Sequence, residues 1–311
     1  NNFVGCKLID NGMIQYTHDF IVSTFCKDHE IFSHQIHGSK NNIRSGEIYD
    51  KDYIGMSNDS SVSYDINIIK PGEKKQIDIC ILLEEFPKDM AHLETEIERV
   101  RKIDFNSEYN KTKNYWRKYL KAHDGLNLKE PKNSYEEKLA DIYYRSILLF
   151  PLLTNMQTGG IIASPEIDED FTKCGRYAYT WPRDAVFIAR AMDILKMTDE
   201  VEKFYKVFCK KTQSKDGRWE QRFFSDGNLA PCWGYQVDET ASVIFGVNSH
   251  YEYTKDEKFL KAVLPMCEKA IDFLKRYVKD IFEGTNKYHV SYDLWEMHEG
   301  INTYSLASIY S

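Results

Sequence analysis

The pattern of apolar and polar positions changes once along this chain, after Pro87. Before it, apolar residues alternate. Residues Val62 to Ile68 and Ile77 to Ile81 follow a period of two, separated by Pro71, Gly72 and Glu73. That pattern predicts a hairpin. Phe20 to Phe25 is a further strand candidate, and the bounding segments are rich in Asn, Asp, Gly and Ser, as turns require. After Pro87 the period lengthens. Met90, Leu93, Ile97 and Val100 recur at three- and four-residue steps with charges between them, which predicts a helix. Tyr115, Trp116, Tyr119 and Leu120 form a second apolar stripe, ended by His123 to Gly125.

From Ser134 onward the chain reads as mainly helical. Ser134 to Glu137 has the form of a capping box before Leu139, Ile142, Tyr143, Ile147 and Leu148. Further helices are expected at about 184–196, 199–213, 236–252 and 256–279, and from 303, with Thr198 and Thr254 as N-caps. Long loops at 155–183, 214–235 and 283–302 carry most of the tryptophans and the acidic-aromatic clusters. Ordered loops of that length tend to carry function. The expected domains are 1–87, the end of a β domain; 88–130, a helical linker; and 131–311, a helical domain.

Composition excludes several classes. With 311 residues the chain suits two domains, and 42% hydrophobic content supports a sizeable core. The net charge is −7, and no Lys/Arg stripe is interleaved with aromatics, so no nucleic-acid partner is expected. No apolar run approaches the ~20 residues that span a bilayer, so no membrane is expected. The seven cysteines, Cys6, Cys26, Cys80, Cys174, Cys209, Cys232 and Cys267, are scattered. They read as free thiols, mostly small core residues, in a reducing and hence cytoplasmic compartment. No cysteine or histidine pattern has metal-ligand spacing, and no metal or cofactor is expected. His289 and His298 are isolated. Residue 1 is Asn, no signal peptide follows, and Tyr304 to Ser311 reads as a helix just beginning. The chain is therefore expected to be a piece of a longer protein.

Three clusters could do chemistry. In Arg176 to Asp184, Tyr177 and Trp181 offer flat apolar faces, while Arg183 and Asp184 offer a donor fork and an acceptor. A sugar, with apolar ring faces and a rim of hydroxyls, needs that mixture. The same residues could equally be a helix cap with an Arg–Asp surface pair. In Trp233 to Glu239, the polar residues Gln236, Asp238 and Glu239 read most simply as a cap for the helix that follows. In Tyr292 to Glu296, the acidic Glu296 directly follows a tryptophan. An aromatic neighbour that excludes water raises a carboxyl pKa, and a carboxylic acid still protonated near neutrality can protonate a glycosidic oxygen. An exposed loop glutamate is the alternative.

Taken together, the clusters resemble glycoside hydrolase family 15, the glucoamylase group. The resemblance rests on Gly160 to Pro165, on Tyr177 to Asp184, on Trp233 to Glu239 and on Asp293 to Glu296, in family order and at approximate family spacing. It covers roughly residues 130–311. It implies a mainly α fold: part of an (α/α)6 barrel, preceded by the end of a β-sandwich domain and a connecting helical segment. It implies an exo-acting, inverting glycosidase that releases glucose from the non-reducing ends of maltooligosaccharides or other α-glucans. Trehalose or isomaltose linkages, or a non-catalytic sugar-binding module, are alternatives. So is a phosphorylase of similar domain plan, which the motifs fit poorly.

By motif position Glu296 would be the general acid. Trp181, Arg183 and Asp184 would hold the terminal glucose, Tyr177 would pack beside the reaction centre, Trp233 would wall the pocket, and Leu294 and Trp295 would flank the acid. Met297 stands where the family often has a second glutamate. The family's general base lies on a later segment than this chain reaches, so enzyme activity is expected of the full-length protein rather than of this chain alone.

Overall fold

The computed structural model describes residues 5–17, 20–46, 48, 59–85, 90–166, 176–232, 234–284 and 290–311. It falls into two compact units, Asn1–Asn114 and Tyr115–Ser311.

In the first unit, β1 (Gly5–Ile9), β2 (Gly12–Tyr16), β3 (Phe20–Cys26) and β6 (Ile79–Glu85) form an antiparallel sheet in the order β1-β2-β3-β6. β4 (Ile31–Ile36) and β5 (Ser60–Tyr64) make a separate two-stranded ribbon. The expected hairpin is therefore corrected. Both of its strands exist, and a turn closes at Pro71–Gly72 with the Glu73 amide on the Lys70 carbonyl at 2.9 Å. The strands nevertheless pair elsewhere, β5 with β4 and β6 with β3. Alternation fixes which face of a strand is buried but not which neighbour it meets. The core here is Ile14, Ile21 and Phe25 from the sheet against Leu93 and Ile97 of helix α1 (Met90–Arg101). That is the stripe read from the sequence. Helix α2 (Phe105–Ala122) follows.

The second unit is built from α3 (Ser134–Leu152), α4 (Pro182–Ile194), α5 (Thr198–Lys203), α6 (Val237–Thr254), α7 (Glu257–Glu283) and α8 (Thr303–Tyr310). A π-helical turn, Phe204–Cys209, continues α5. Helix α4 packs on α6, and α6 packs on both α7 and α8. Their shared interior holds Ala185, Val186, Ala189, Met192, Val243 and Val247, joined by Phe204, Tyr205 and Phe208 from the π turn and by the fully buried Trp219. Small residues on α4 let α6 approach closely, while the aromatic residues fill the space beyond.

The caps lie one or two residues from where the sequence suggests. Asn133 rather than Ser134 caps α3, its side chain accepting from the amides of Tyr135 and Glu136. Glu136 answers by accepting from the amide of Lys132 at 2.8 Å. Asp256 rather than Thr254 caps α7, accepting from the Lys258 and Phe259 amides. Thr254 instead ends α6, and α5 begins after Met197 with no side-chain cap. Asn and Asp reach the orphan amides as well as Ser or Thr do, so either neighbour satisfies the same need. No helix among the described residues is long and apolar enough to cross a membrane. The six described cysteines are free thiols, with Cys26, Cys209 and Cys267 buried. Cys174 lies outside the described residues.

Candidate active site

The site begins with the dipeptide Trp181–Pro182. Proline fits the first helical position, where no amide partner is needed, and it drives the preceding residue out of the helical region. Trp181 accordingly sits at φ −88°, ψ 124° and is the N-cap of α4, with Pro182 opening the helix. A tryptophan has no side-chain acceptor with which to satisfy the first amides. Another helix supplies it. A Glu239 carboxylate oxygen accepts from the Arg183 amide at 2.6 Å. The same carboxyl group lies 3.1 Å from Nη1 of Arg183, and Asp238 accepts from that nitrogen at 2.7 Å. Nη2 of Arg183 reaches Asp184 at 3.2 Å.

Glu239 and Asp238 are wholly buried, whereas the Asp184 side chain is 41% exposed. Neither Asp238 nor Glu239 caps its own helix, because α6 has no side-chain cap. The expectation of a simple cap for α6 is thus corrected. A carboxylate taken out of water needs a cation and donors, and Arg183 provides both. Burial pushes the Glu239 carboxyl well above the ordinary range, Asp238 and Asp184 push it further, and Arg183 opposes them. Burial also works against the charged form of Arg183. Its three acidic neighbours outweigh that and hold the guanidinium above its usual pKa.

Glu296 arrives from a different direction. Two short strands, β7 (Ser291–Tyr292) and β8 (Glu299–Gly300), pair and present the turn between them. Asp293 organises that turn, accepting from the amides of Met297 at 2.7 Å and His298 at 3.0 Å. These bonds favour the charged carboxylate and lower its pKa. The Glu296 amide bonds the Asp293 carbonyl, and Glu296 sits at φ 61°. A long side chain seldom adopts that conformation. Held by its surroundings, it stores strain of about 1–3 kcal/mol, of a kind that clusters at functional sites.

The base of the hairpin is fixed to the start of α6: the Gln236 side chain donates to the Asp293 carbonyl at 2.7 Å, and the Val237 amide donates to the Ser291 hydroxyl at 3.0 Å. Gly234 lets Tyr292 close over this joint, since a Cβ there would lie 2.3 Å from the Tyr292 ring. Replacing Gly234 with Ala is expected to lower the urea unfolding free energy by about 1–3 kcal/mol, the usual result of overpacking.

The two arms meet in a cleft of about 450 Å³. Trp181 Nε1 donates to Glu296 at 3.2 Å. Burial raises the Glu296 pKa above that of an ordinary glutamate, with Asp184 adding to the rise. The Trp181 hydrogen bond, Arg222 and Arg183 pull the other way. Trp295, next in sequence, is 79% exposed. The aromatic that hydrogen-bonds Glu296 is Trp181, from 115 positions away, in addition to the sequence neighbour on which the expectation was based.

Tyr177, Trp181, Arg183, Asp184, Leu294, Trp295 and Glu296 all line the cleft. Trp233 lies outside the described residues. Gly160 to Pro165 runs beside Tyr177, with the Ala163 amide on the Tyr179 carbonyl and the Ser164 amide on the Tyr177 carbonyl.

Arg222 and Pro231 also line the cleft and belong to none of the three clusters. Arg222 places its guanidinium 5.5 Å from the Trp181 ring and 4.9 Å from the Tyr179 ring. It is brought there by paired backbone bonds between Thr180 and Phe223 at 2.8 and 2.9 Å. A charged residue inside the run Trp219 to Phe224 was the only sequence signal. Among the described residues no group of three or more His, Cys, Asp and Glu side chains could hold a metal ion.

Comparison with known proteins gives the following likenesses. The family model described as glycosyl hydrolases family 15 matches residues 137–310. An uncharacterized glycosyl hydrolase of Methanocaldococcus jannaschii is 27% identical over 265 residues, covering 84% of this chain and 39% of the relative. The chain thus spans well under half the length of that relative. A bacterial glucoamylase solved in complex with acarbose aligns at a TM-score of 0.55 and 14% identity, covering 86% of this chain and 46% of its own. That likeness concerns the fold: a mainly helical unit of the (α/α)6 type after an N-terminal strand region.

Proposed function

The chain belongs to glycosyl hydrolase family 15, and from that membership we propose that the full-length protein hydrolyses α-glucosidic bonds, releasing glucose from non-reducing ends with inversion. One observation carries the reading. Glu296, with its pKa raised by burial, takes a hydrogen bond from Trp181 in a cleft that also presents Arg183 and Asp184.

In this reading Glu296 is the general acid. Burial favours its protonated form, from which the proton passes to the glycosidic oxygen as the bond to the anomeric carbon breaks. Trp181 and Tyr177 stack on the apolar faces of the terminal glucose. Asp184 accepts from its hydroxyls while Arg183 holds Asp184 in place. Leu294 and Trp295 border the leaving group. A second carboxylate activates water on the opposite face, ~6.5–9.5 Å from the acid in an inverting enzyme. We assign that group to the part of the full-length protein outside this chain. Maltooligosaccharides are the proposed substrates, and trehalose or isomaltose linkages are the alternatives within the same chemistry.

The test is glucose release from maltotriose by the full-length protein, with and without inorganic phosphate. Equal release in both is expected of a hydrolase. Release only with phosphate would overturn the proposal in favour of phosphorolysis, and binding of maltotriose without any turnover would leave a sugar-binding module.

A further inference from the structure

We infer that Glu239 is a positioning residue for the proposed hydrolysis, setting the start of helix α4 and through it the placement of Trp181 and Asp184 in the cleft. The inference rests on the hydrolase reading above, but the geometry behind it is independent of that reading. Glu239 does not line the cleft. Its single carboxyl group meets Arg183 twice, accepting from the backbone amide at 2.6 Å and lying 3.1 Å from the guanidinium. The amide is one of the first in α4, a helix whose own N-cap, Trp181, contributes no side-chain acceptor. Glu239 therefore does for α4 what a side-chain cap normally does, from a neighbouring helix.

Two cleft groups flank this anchor. Trp181 precedes it by two residues and donates to Glu296, and Asp184 follows it directly and faces solvent. Arg183 cannot shift without moving both. Asp238 strengthens the grip on the guanidinium, at 2.7 Å, but makes no bond to the amide. Removing Glu239 leaves a buried amide unsatisfied and frees the helix start. The Trp181–Glu296 bond is then the first contact in the cleft to loosen. Loss of that bond withdraws one influence that favours ionised Glu296. The influences that remain at Glu296 are burial and Asp184, which disfavour ionisation, and Arg222 and Arg183, which favour it. The pKa of Glu296 should therefore rise further.

The experiment compares the full-length wild type with Glu239→Met, which keeps the volume without an acceptor, and Glu239→Gln, which keeps a carbonyl for the amide. Maltotriose hydrolysis is measured as kcat/KM against pH, beside thermal unfolding. We expect Glu239→Met to lose about 10²-fold in kcat/KM, as small misplacements of positioning groups do. Glu239→Gln should recover part of that loss, and the basic limb should move to higher pH in both. A simple packing role would lower the melting temperature without moving the limb. Wild-type kcat/KM and an unmoved limb in folded Glu239→Met would overturn the inference, as would failure of both variants to fold. An inactive wild type would instead overturn the hydrolase reading, and glucose affinity across the same three proteins would then test the positioning role.

Discussion

Replacing Glu296 with Gln is expected to lower kcat on maltotriose by roughly 10²–10⁴-fold, the contribution of a positioned general acid. The amide fills the same space and can still accept from Trp181 Nε1, so binding should change little and the loss should fall on kcat. The pH dependence adds a second signature. A general acid works in its protonated form, so activity falls as pH rises through its pKa. Burial raises the Glu296 pKa. The basic limb of kcat/KM in the wild type should therefore lie above the range of an ordinary glutamate, and the variant should lose that limb. Initial rates across pH for both proteins check the prediction. Equal kcat in the two would remove Glu296 from the acid role.

Replacing Arg183 with Leu should produce the second large effect, on stability as well as function. Arg183 is the cation shared by two fully buried carboxyl groups, Asp238 at 2.7 Å and Glu239 at 3.1 Å. Removing one partner of a buried ion pair strands the other in a medium that does not solvate it, at a cost of about 3–5 kcal/mol. The expected result is a fall of that size in the urea unfolding free energy, followed through the fluorescence of buried Trp219. A Leu variant as stable as the wild type would show that Arg183 serves only the cleft. The neighbouring substitution Asp184→Asn should behave differently. Asp184 is partly exposed and leaves no buried charge behind, so its effect should appear in sugar binding with little change in stability.

Much of this arrangement was legible in the residues, for reasons that can be stated. Helix positions followed from apolar spacing, because a helix buries one stripe and the stripe repeats. The stripe Leu93–Ile97 packs as read, and the segments expected at 184–196, 236–252 and 256–279 appear as α4, α6 and α7 within a few residues at each end. The helix expected from about 184 begins two residues earlier, at Pro182, because proline fits the first helical position.

What failed was non-local. Strand partners depend on the whole sheet, so the alternation around Pro71 found β5 and β6 but paired them wrongly. The partner of Glu239 lies on another helix, 56 positions away, so inspection of its own segment could suggest only a local cap. The raised pKa of Glu296 was anticipated from Trp295, yet that ring is 79% exposed, and the hydrogen-bonded aromatic Trp181 comes from a distant segment. Arg222 reaches the site through a backbone bridge between Thr180 and Phe223 that leaves no trace in either segment.

If Glu296 is the acid of an inverting hydrolysis, the anomeric form of the first-released glucose reports it. Full-length protein would be mixed with maltotriose and followed by proton NMR before mutarotation equilibrates the product. Direct attack by water on the face opposite an α-linked leaving group gives β-glucose, and that is the result predicted. Initial release of α-glucose would indicate a covalent glycosyl-enzyme and retention, and would contradict the account.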